Sequence, residues 1–164
     1  MPGATFFMVP GAGLEGVHAA LDYLIAANRA GLGDSVPRFA DGTLDAKGKH
    51  VVVIGGGFGG ATAARYLRLW DPSIEVVLVE RGDRFISCPV SNLVIAGHRG
   101  MDEIQRGYEG LTRLGVRLVQ DEALGVDAGK RVVRLRRGGD RRPAVKHSQA
   151  PGAASGKPSS TRSS

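Results

Sequence analysis

Residues 51–71 read VVVIGGGFGGATAARYLRLWD. An apolar, β-branched run meets five glycines within six positions, and a helical pattern follows at once. A short continuous apolar run bounded by glycine reads as a strand covered on both faces. Residues 58–69 read as a helix whose early face is small: Gly60, Ala61, Ala63 and Ala64. DPS, at 71–73, is a turn, and IEVVLVE reads as a second buried strand ending at Glu80. A strand, a glycine turn, a helix and another strand make a βαβ unit, whose two strands lie parallel.

Gly55, Gly57 and Gly60 stand as G-x-G-x-x-G between that strand and that helix, the context in which the spacing carries meaning. Gly55 permits the tight turn. Gly57 lets a diphosphate approach the backbone with no Cβ in the way, and Gly60 lets helix and strand pack closely. The helix N-terminus adds free N–H groups and the positive end of its dipole. Glu80 lies twenty residues beyond Gly60, where a carboxylate accepts hydrogen bonds from a ribose diol and repels a 2′-phosphate. Arg81 beside it weakens that bias against NADP. The candidate cofactor-binding residues are thus Gly55, Gly57, Phe58, Gly59, Gly60, Glu80 and Arg81, with Cys88 added by a resemblance given below. FAD and NAD share this fingerprint, so spacing alone leaves both open. The plainer alternative is a glycine-rich turn that holds nothing.

Around this unit the pattern is looser. Residues 1–13 look irregular. In the stretch from Leu14, the residues Leu14, Val17, Leu21, Leu24 and Ile25 recur at helical spacing, and Gly31 and Gly33 would stop that helix. Residues 81–100 read as a loop with at most a helical turn. MDEIQRGYEGLTRLG, at 101–115, fits another helix with Ile104, Tyr108, Leu111 and Leu114 in step. VRLVQDEALGVDAGKRVVRL reads as two strands joined at Asp127–Gly129. From Arg136 the apolar pattern ends, and the tail is expected to be disordered because it has too little apolar surface to offset chain entropy. The expected organisation is an N-terminal extension with one helix (1–47), an incomplete α/β dinucleotide-binding module of the Rossmann type (48–135) and a basic tail (136–164).

Charge follows the same division. Residues 131–164 hold nine Lys/Arg against one Asp, whereas residues 1–130 hold thirteen against fifteen Asp/Glu, so the formal net charge of +6 comes from the tail. A basic tail can bind nucleic acid through counterion release, although a merely solvated tail is the simpler reading and no specific nucleic-acid partner is expected. The chain has one cysteine, Cys88, so it forms no internal disulfide. No apolar run approaches the ~20 residues of a membrane span. The start, MPGATFFMVPGAG, has no basic region before its apolar patch, so no secretory signal is read and a cytoplasmic location is expected. His18, His50 and His98 have no partner at metal-ligand spacing.

From about Gly48 to Leu135 the chain resembles the flavoprotein subunit of flavocytochrome c sulfide dehydrogenase, a family related to sulfide:quinone oxidoreductases and to FAD-dependent pyridine nucleotide–disulfide reductases. The resemblance rests on the strand–glycine–helix–strand segment, then SCPVSNLVIAGHR, GYEGL and GVRLVQDEALGVD. It implies FAD on the glycine loop and, at the position of Cys88, a thioether to the flavin. It also implies a cytochrome c partner and, for complete relatives, a periplasmic location. From the residues alone, Cys88 between Ser87 and Pro89 is equally well a small buried hydrophobe. Residues 9–56 resemble the glutamate synthase small subunit in the segment leading to its NADPH-binding loop, which makes NAD(P) the alternative cofactor. The two resemblances meet at GKHVVVIGGG, as a fusion at shared sequence would. Relatives of the first kind run to roughly twice this length, and sulfide oxidation needs thiols beyond one cysteine. No catalytic residue is therefore assigned, and a strand neighbour for the first strand is expected to be missing on one side.

Overall fold

The computed structural model describes residues 10–11 and 13–141. Its elements run α1 (Ala20–Gly31), α2 (Pro37–Ala40), β1 (His50–Ile54), α3 (Phe58–Trp70), β2 (Glu75–Glu80), β3 (Phe85–Ile86), α4 (Ser91–Ile95), β4 (Gln105–Arg106), α5 (Glu109–Arg113), β5 (Arg117–Gln120), β6 (Ala123–Asp127), β7 (Val132–Leu135) and β8 (Gly139–Arg141). Single 3₁₀ turns fill Cys88–Val90 and Asp102–Ile104.

The central sheet has the order β1-β2-β5 and is parallel throughout, with Val53 opposite Leu78 and Leu78 opposite Leu118. Its middle strand shows why the run of β-branched residues forms here. Val76 and Leu78 face a core made with Val53, Ala64, Leu67, Ile74, Tyr108 and Val116. Val77 and Val79 face the opposite way, into a second core with Val133 and Leu135. The molecule is thus layered: α3, with α1 packed against it, covers one face of the sheet, and the antiparallel meander β6-β7-β8 covers the other. A strand apolar on both sides needs two such covers. Leu78, fully buried, is worth about 1.5–3 kcal/mol by area alone. Arg68 fastens the far end of α3, donating to the carbonyls of Leu114, Pro72 and Ile74.

Several elements differ from the sequence expectation. The N-terminal helix begins at Ala20, because Gly16 has φ +78° and Ala19 is extended. Its inner face is also different: Leu14, Leu21 and Ile25 are exposed, while Ala20, Tyr23 and Ala26 turn inward. The cause is the small-residue face of α3, since a Cβ on Gly59 would stand 3.8 Å from that of Ala20, a spacing suited to alanine. Helix α1 lies on α3, and among the described residues β1 has β2 as its one strand neighbour.

The helix expected over 101–115 is instead a 3₁₀ turn, the strand β4 and the short helix α5. Pairing wins here: Phe85 lies opposite Arg106 and Ile86 opposite Gln105, and the Ser87 N–H donates to the Ile104 carbonyl at 2.9 Å. Ile104 and Tyr108 are nevertheless buried, so the apolar spacing was informative about the core and misleading about the backbone. The loop expected over 81–100 likewise contains β3 and α4.

The two strands expected over 116–135 are three, and they serve different sheets. Asp121 separates β5 from β6. It is buried, and its carboxylate accepts the N–H of Glu122 at 2.8 Å and of Arg137 at 3.2 Å. That second bond, with the Arg136 N–H on the Glu122 carbonyl at 3.0 Å, carries the chain into β8. Residues 139–141 are therefore a strand within the stretch expected to be disordered, paired antiparallel with β7. The remaining tail, 142–164, lies outside the described residues, as do residues 1–9 and 12.

Burial opposes the charge on Asp121, but the amides of Glu122, Arg137 and Gly138 outweigh it and hold the carboxyl below its usual range. A carboxyl depressed in the folded state contributes stability above its unfolded value of about 3.9, and that contribution fades as pH falls through the folded value. Thermal melts between pH 6 and pH 3 should therefore fall less steeply for Asp121→Asn than for the parent, from a lower starting point. Parallel curves would remove Asp121 as a source of the acid sensitivity.

Candidate functional site

The turn between β1 and α3 is built by three constraints that only glycine meets together. Gly55 has φ +92° and gives its N–H to the Val79 carbonyl at 2.8 Å, tying the loop to the end of β2. A Cβ on Gly60 would stand 1.9 Å from the Gly55 carbonyl oxygen, so α3 can approach β1 this closely only without one. A Cβ on Gly56 would lie 2.5 Å from the hydroxyl oxygen of Tyr108. Gly57 is different. Its φ of −66° and ψ of −173° suit any residue, and among the described residues a Cβ there would meet no atom within 4 Å beyond its chain neighbours. Nothing among the described residues requires glycine at 57, and its open side lies at the start of a thirteen-residue helix.

Helix α3 opens with Gly57 as its N-cap, no side chain caps it, and the first helical bond is Ala61 N–H to Gly57 carbonyl at 2.9 Å. The N–H groups of Gly57, Phe58, Gly59 and Gly60 precede any intrahelical partner and point out of the helix end, where an anion is favoured. Phe58 is half exposed and stacks edge-on against Phe85 of β3 with ring centroids 4.6 Å apart, so the β3 loop is joined to the helix start. Gly59 faces α1.

Glu80 ends β2 as its position predicts, but its carboxylate is turned into the loop. One oxygen accepts the Gly56 N–H at 2.5 Å and the other the Gly82 N–H at 2.9 Å. Each oxygen keeps a further lone pair for an outside donor. Arg81 is exposed and its charge is directed elsewhere. The carboxyl of Glu122 sits below its usual range, chiefly through the hydrogen bond from Arg136, with the Arg81 charge contributing. Cys88 is exposed at the head of the 3₁₀ turn, and its sulfur is 3.9 Å from the Ile86 carbonyl oxygen. It is three residues past Phe85, on the loop that Phe58 anchors.

One residue of this cluster was not among the candidates. Tyr108 precedes α5 and is 6 % exposed, and its hydroxyl donates to the Gly56 carbonyl at 3.1 Å. Burial, and secondarily the charge of Glu80, push its pKa up to about 12, so it stays a donor throughout the neutral range. Its presence in GYEGL was the available signal, but that spacing assigned it to a helix face. Among the described residues no helix is long and apolar enough to cross a membrane.

A parallel strand, a side-chain-free turn, a helix whose first amides are uncovered and a carboxylate at the next strand's end define a dinucleotide-binding unit of the α/β class. The chain belongs to the pyridine nucleotide-disulphide oxidoreductase family, whose model matches residues 49–153. Both resemblances read from the sequence recur among known proteins. The chain is 63% identical over 46 residues to the flavoprotein chain of sulfide dehydrogenase [flavocytochrome c] from Chlorobaculum thiosulfatiphilum, a match covering 28% of this chain and 96% of that sequence. It is 56% identical over 48 residues to the glutamate synthase [NADPH] small chain of Azospirillum brasilense, 29% of this chain and 10% of that one. Among solved structures, the sulfide:quinone oxidoreductase of Aquifex aeolicus superposes with a TM-score of 0.54 at 27% identity, over 57% of this chain and 22% of that chain. The chain thus spans about a fifth of that enzyme and a tenth of the glutamate synthase chain.

Proposed function

We propose that the chain binds FAD through the β1–α3 turn. The N–H groups from Gly57 to Gly60 would hold the diphosphate, Glu80 would accept from the ribose hydroxyls while keeping its grip on Gly56 and Gly82, and the loop of Cys88 would lie beside the isoalloxazine ring. Gly57 carries the reading: the described residues leave that position open, and a missing side chain there gives a diphosphate room to reach the backbone. When bound, the flavin supplies the two-electron chemistry, and the residues here bind and orient it. Similarity to the Chlorobaculum flavoprotein chain of a flavocytochrome c supports a flavin over a nicotinamide cofactor and a cytochrome c as the electron partner. Sulfur oxidation is proposed for longer relatives, with this chain contributing cofactor binding in the cytoplasm.

A second reading, an NAD(P)H site, rests on the similarity to the glutamate synthase [NADPH] small chain. Glu80 argues against its phosphorylated form, because a 2′-phosphate would meet a carboxylate at that point.

The test is purification followed by a visible spectrum, then acid precipitation. Bound FAD should give the yellow flavin bands at one equivalent per chain. Pigment that stays with the precipitate, and moves to the supernatant in Cys88→Ser, would support a thioether at Cys88. Pigment released from the parent would leave FAD bound without that bond. Folded, monodisperse protein that takes up no adenine dinucleotide would end the proposal.

A further inference from the structure

We infer that Tyr108 is a positioning residue for the diphosphate subsite, orienting the Gly57 N–H from beneath the glycine loop. This rests on the dinucleotide-binding reading of that loop and adds a residue to it from 52 positions downstream.

The loop has two peptide groups that the rest of the chain seizes on opposite sides. The Gly56 N–H is held by the Glu80 carboxylate, and the Gly56 carbonyl by the Tyr108 hydroxyl. In a trans peptide, the carbonyl and the N–H that follows it point in opposite directions. No cis bond occurs among the described residues. With the Gly56 carbonyl drawn down to a buried tyrosine, the Gly57 N–H is turned up and outward, in line with the uncovered amides of α3. No acceptor on the described residues takes that N–H. The tyrosine ring also fills the space where a Gly56 side chain would sit, with ring atoms 2.7 and 2.8 Å from an added Cβ, so the loop cannot sink toward the core. Glu80 and Tyr108 therefore make a clamp: one fixes the peptide before Gly56, the other the peptide after it. Without the hydroxyl, the second peptide is free to rotate, and the Gly57 N–H loses its aim.

Tyr108→Phe keeps the ring and removes the donor, so it separates aim from packing. The full chain would be titrated with ADP and, in parallel, with adenosine, following amide resonances by NMR. ADP reaches the loop through its diphosphate; adenosine does not. ADP affinity should fall by about five- to ten-fold, the scale of one lost hydrogen bond, while adenosine affinity holds. Equal weakening of both ligands, or an unchanged ADP affinity, overturns the positioning role while the dinucleotide reading stands. A parent protein that binds neither ligand overturns both. Leu111→Ala controls for stability: Leu111 packs on the same core as Tyr108 but bears no donor, so it should lower the melting temperature and leave the ADP-to-adenosine ratio unchanged. A ratio that shifts in Leu111→Ala as it does in Tyr108→Phe would reduce the tyrosine to packing and defeat the inference.

Discussion

Gly57→Val should leave the protein folded and remove its affinity for dinucleotides. The backbone at 57 is extended, a conformation valine favours, and a Cβ there touches nothing among the described residues. The folding cost is limited to a poorer helix N-cap, about 1 kcal/mol. The binding cost is larger because the new side chain stands where a phosphate must meet the backbone amides. Forced overlap of this kind costs about 1–3 kcal/mol, and losing the amide contacts adds to it, so affinity for FAD or ADP should fall by tens of fold or more. Fluorescence titration with FAD, alongside a urea melt, measures both effects on one sample. A variant that binds as tightly as the parent would place the phosphates elsewhere, and the reading of Gly57 would fail.

How far the sequence revealed this site depends on how local each contact is. Gly55, Gly57, Gly60 and Glu80 lie within one βαβ unit, where strand and helix lengths fix their spacing, so their places at the turn, the helix start and the end of β2 are readable in the sequence. The two-sided burial of β2 was readable for the same reason. Tyr108 was not. Its role is a single hydroxyl-to-carbonyl contact to Gly56, and its spacing from Ile104 and Leu111 suits a helix face equally well. Helical periodicity is a poor guide there because a buried residue, a strand and a short helix reproduce the same pattern of inward positions. Leu21 and Ile25 misled in a related way: they recur at helical spacing, yet α1 turns its small side chains toward α3 because α3 presents glycine and alanine. At the other end, β8 was invisible to a count of apolar side chains, because Asp121 and the edge of β7 secure it through backbone amides. The direction in which Glu80 points was also beyond sequence, since an inward and an outward carboxylate occupy the same position.

Gly60→Ala should have the opposite character to Gly57→Val, with folding damaged first and binding lost as a consequence. Its added methyl would lie 1.9 Å from the Gly55 carbonyl oxygen, 3.1 Å from that carbonyl carbon and 3.2 Å from a methyl of Val53. Two of these three obstacles are backbone, so no rotamer change relieves them. The peptide that carries the Gly55 carbonyl cannot simply turn aside, because its N–H, that of Gly56, is held by the Glu80 carboxylate. Relief must come from α3 lifting away from β1, which opens the core between Val53, Ala64 and Leu67. Small-to-large changes in packed interiors cost about 1–3 kcal/mol, and this one belongs at or above the top of that range. Against the 5–15 kcal/mol typical of whole domains, the urea midpoint should drop visibly with the slope unchanged. Ligand titrated into the residual folded fraction should then find amides displaced along with the helix end, and affinity should fall too. The pair is diagnostic because the two residues lie three positions apart, one capping α3 and the other in its first turn. If Gly60→Ala melted with the parent, α3 would not rest on the Gly55 carbonyl, and the close approach on which the amide cluster depends would be wrong.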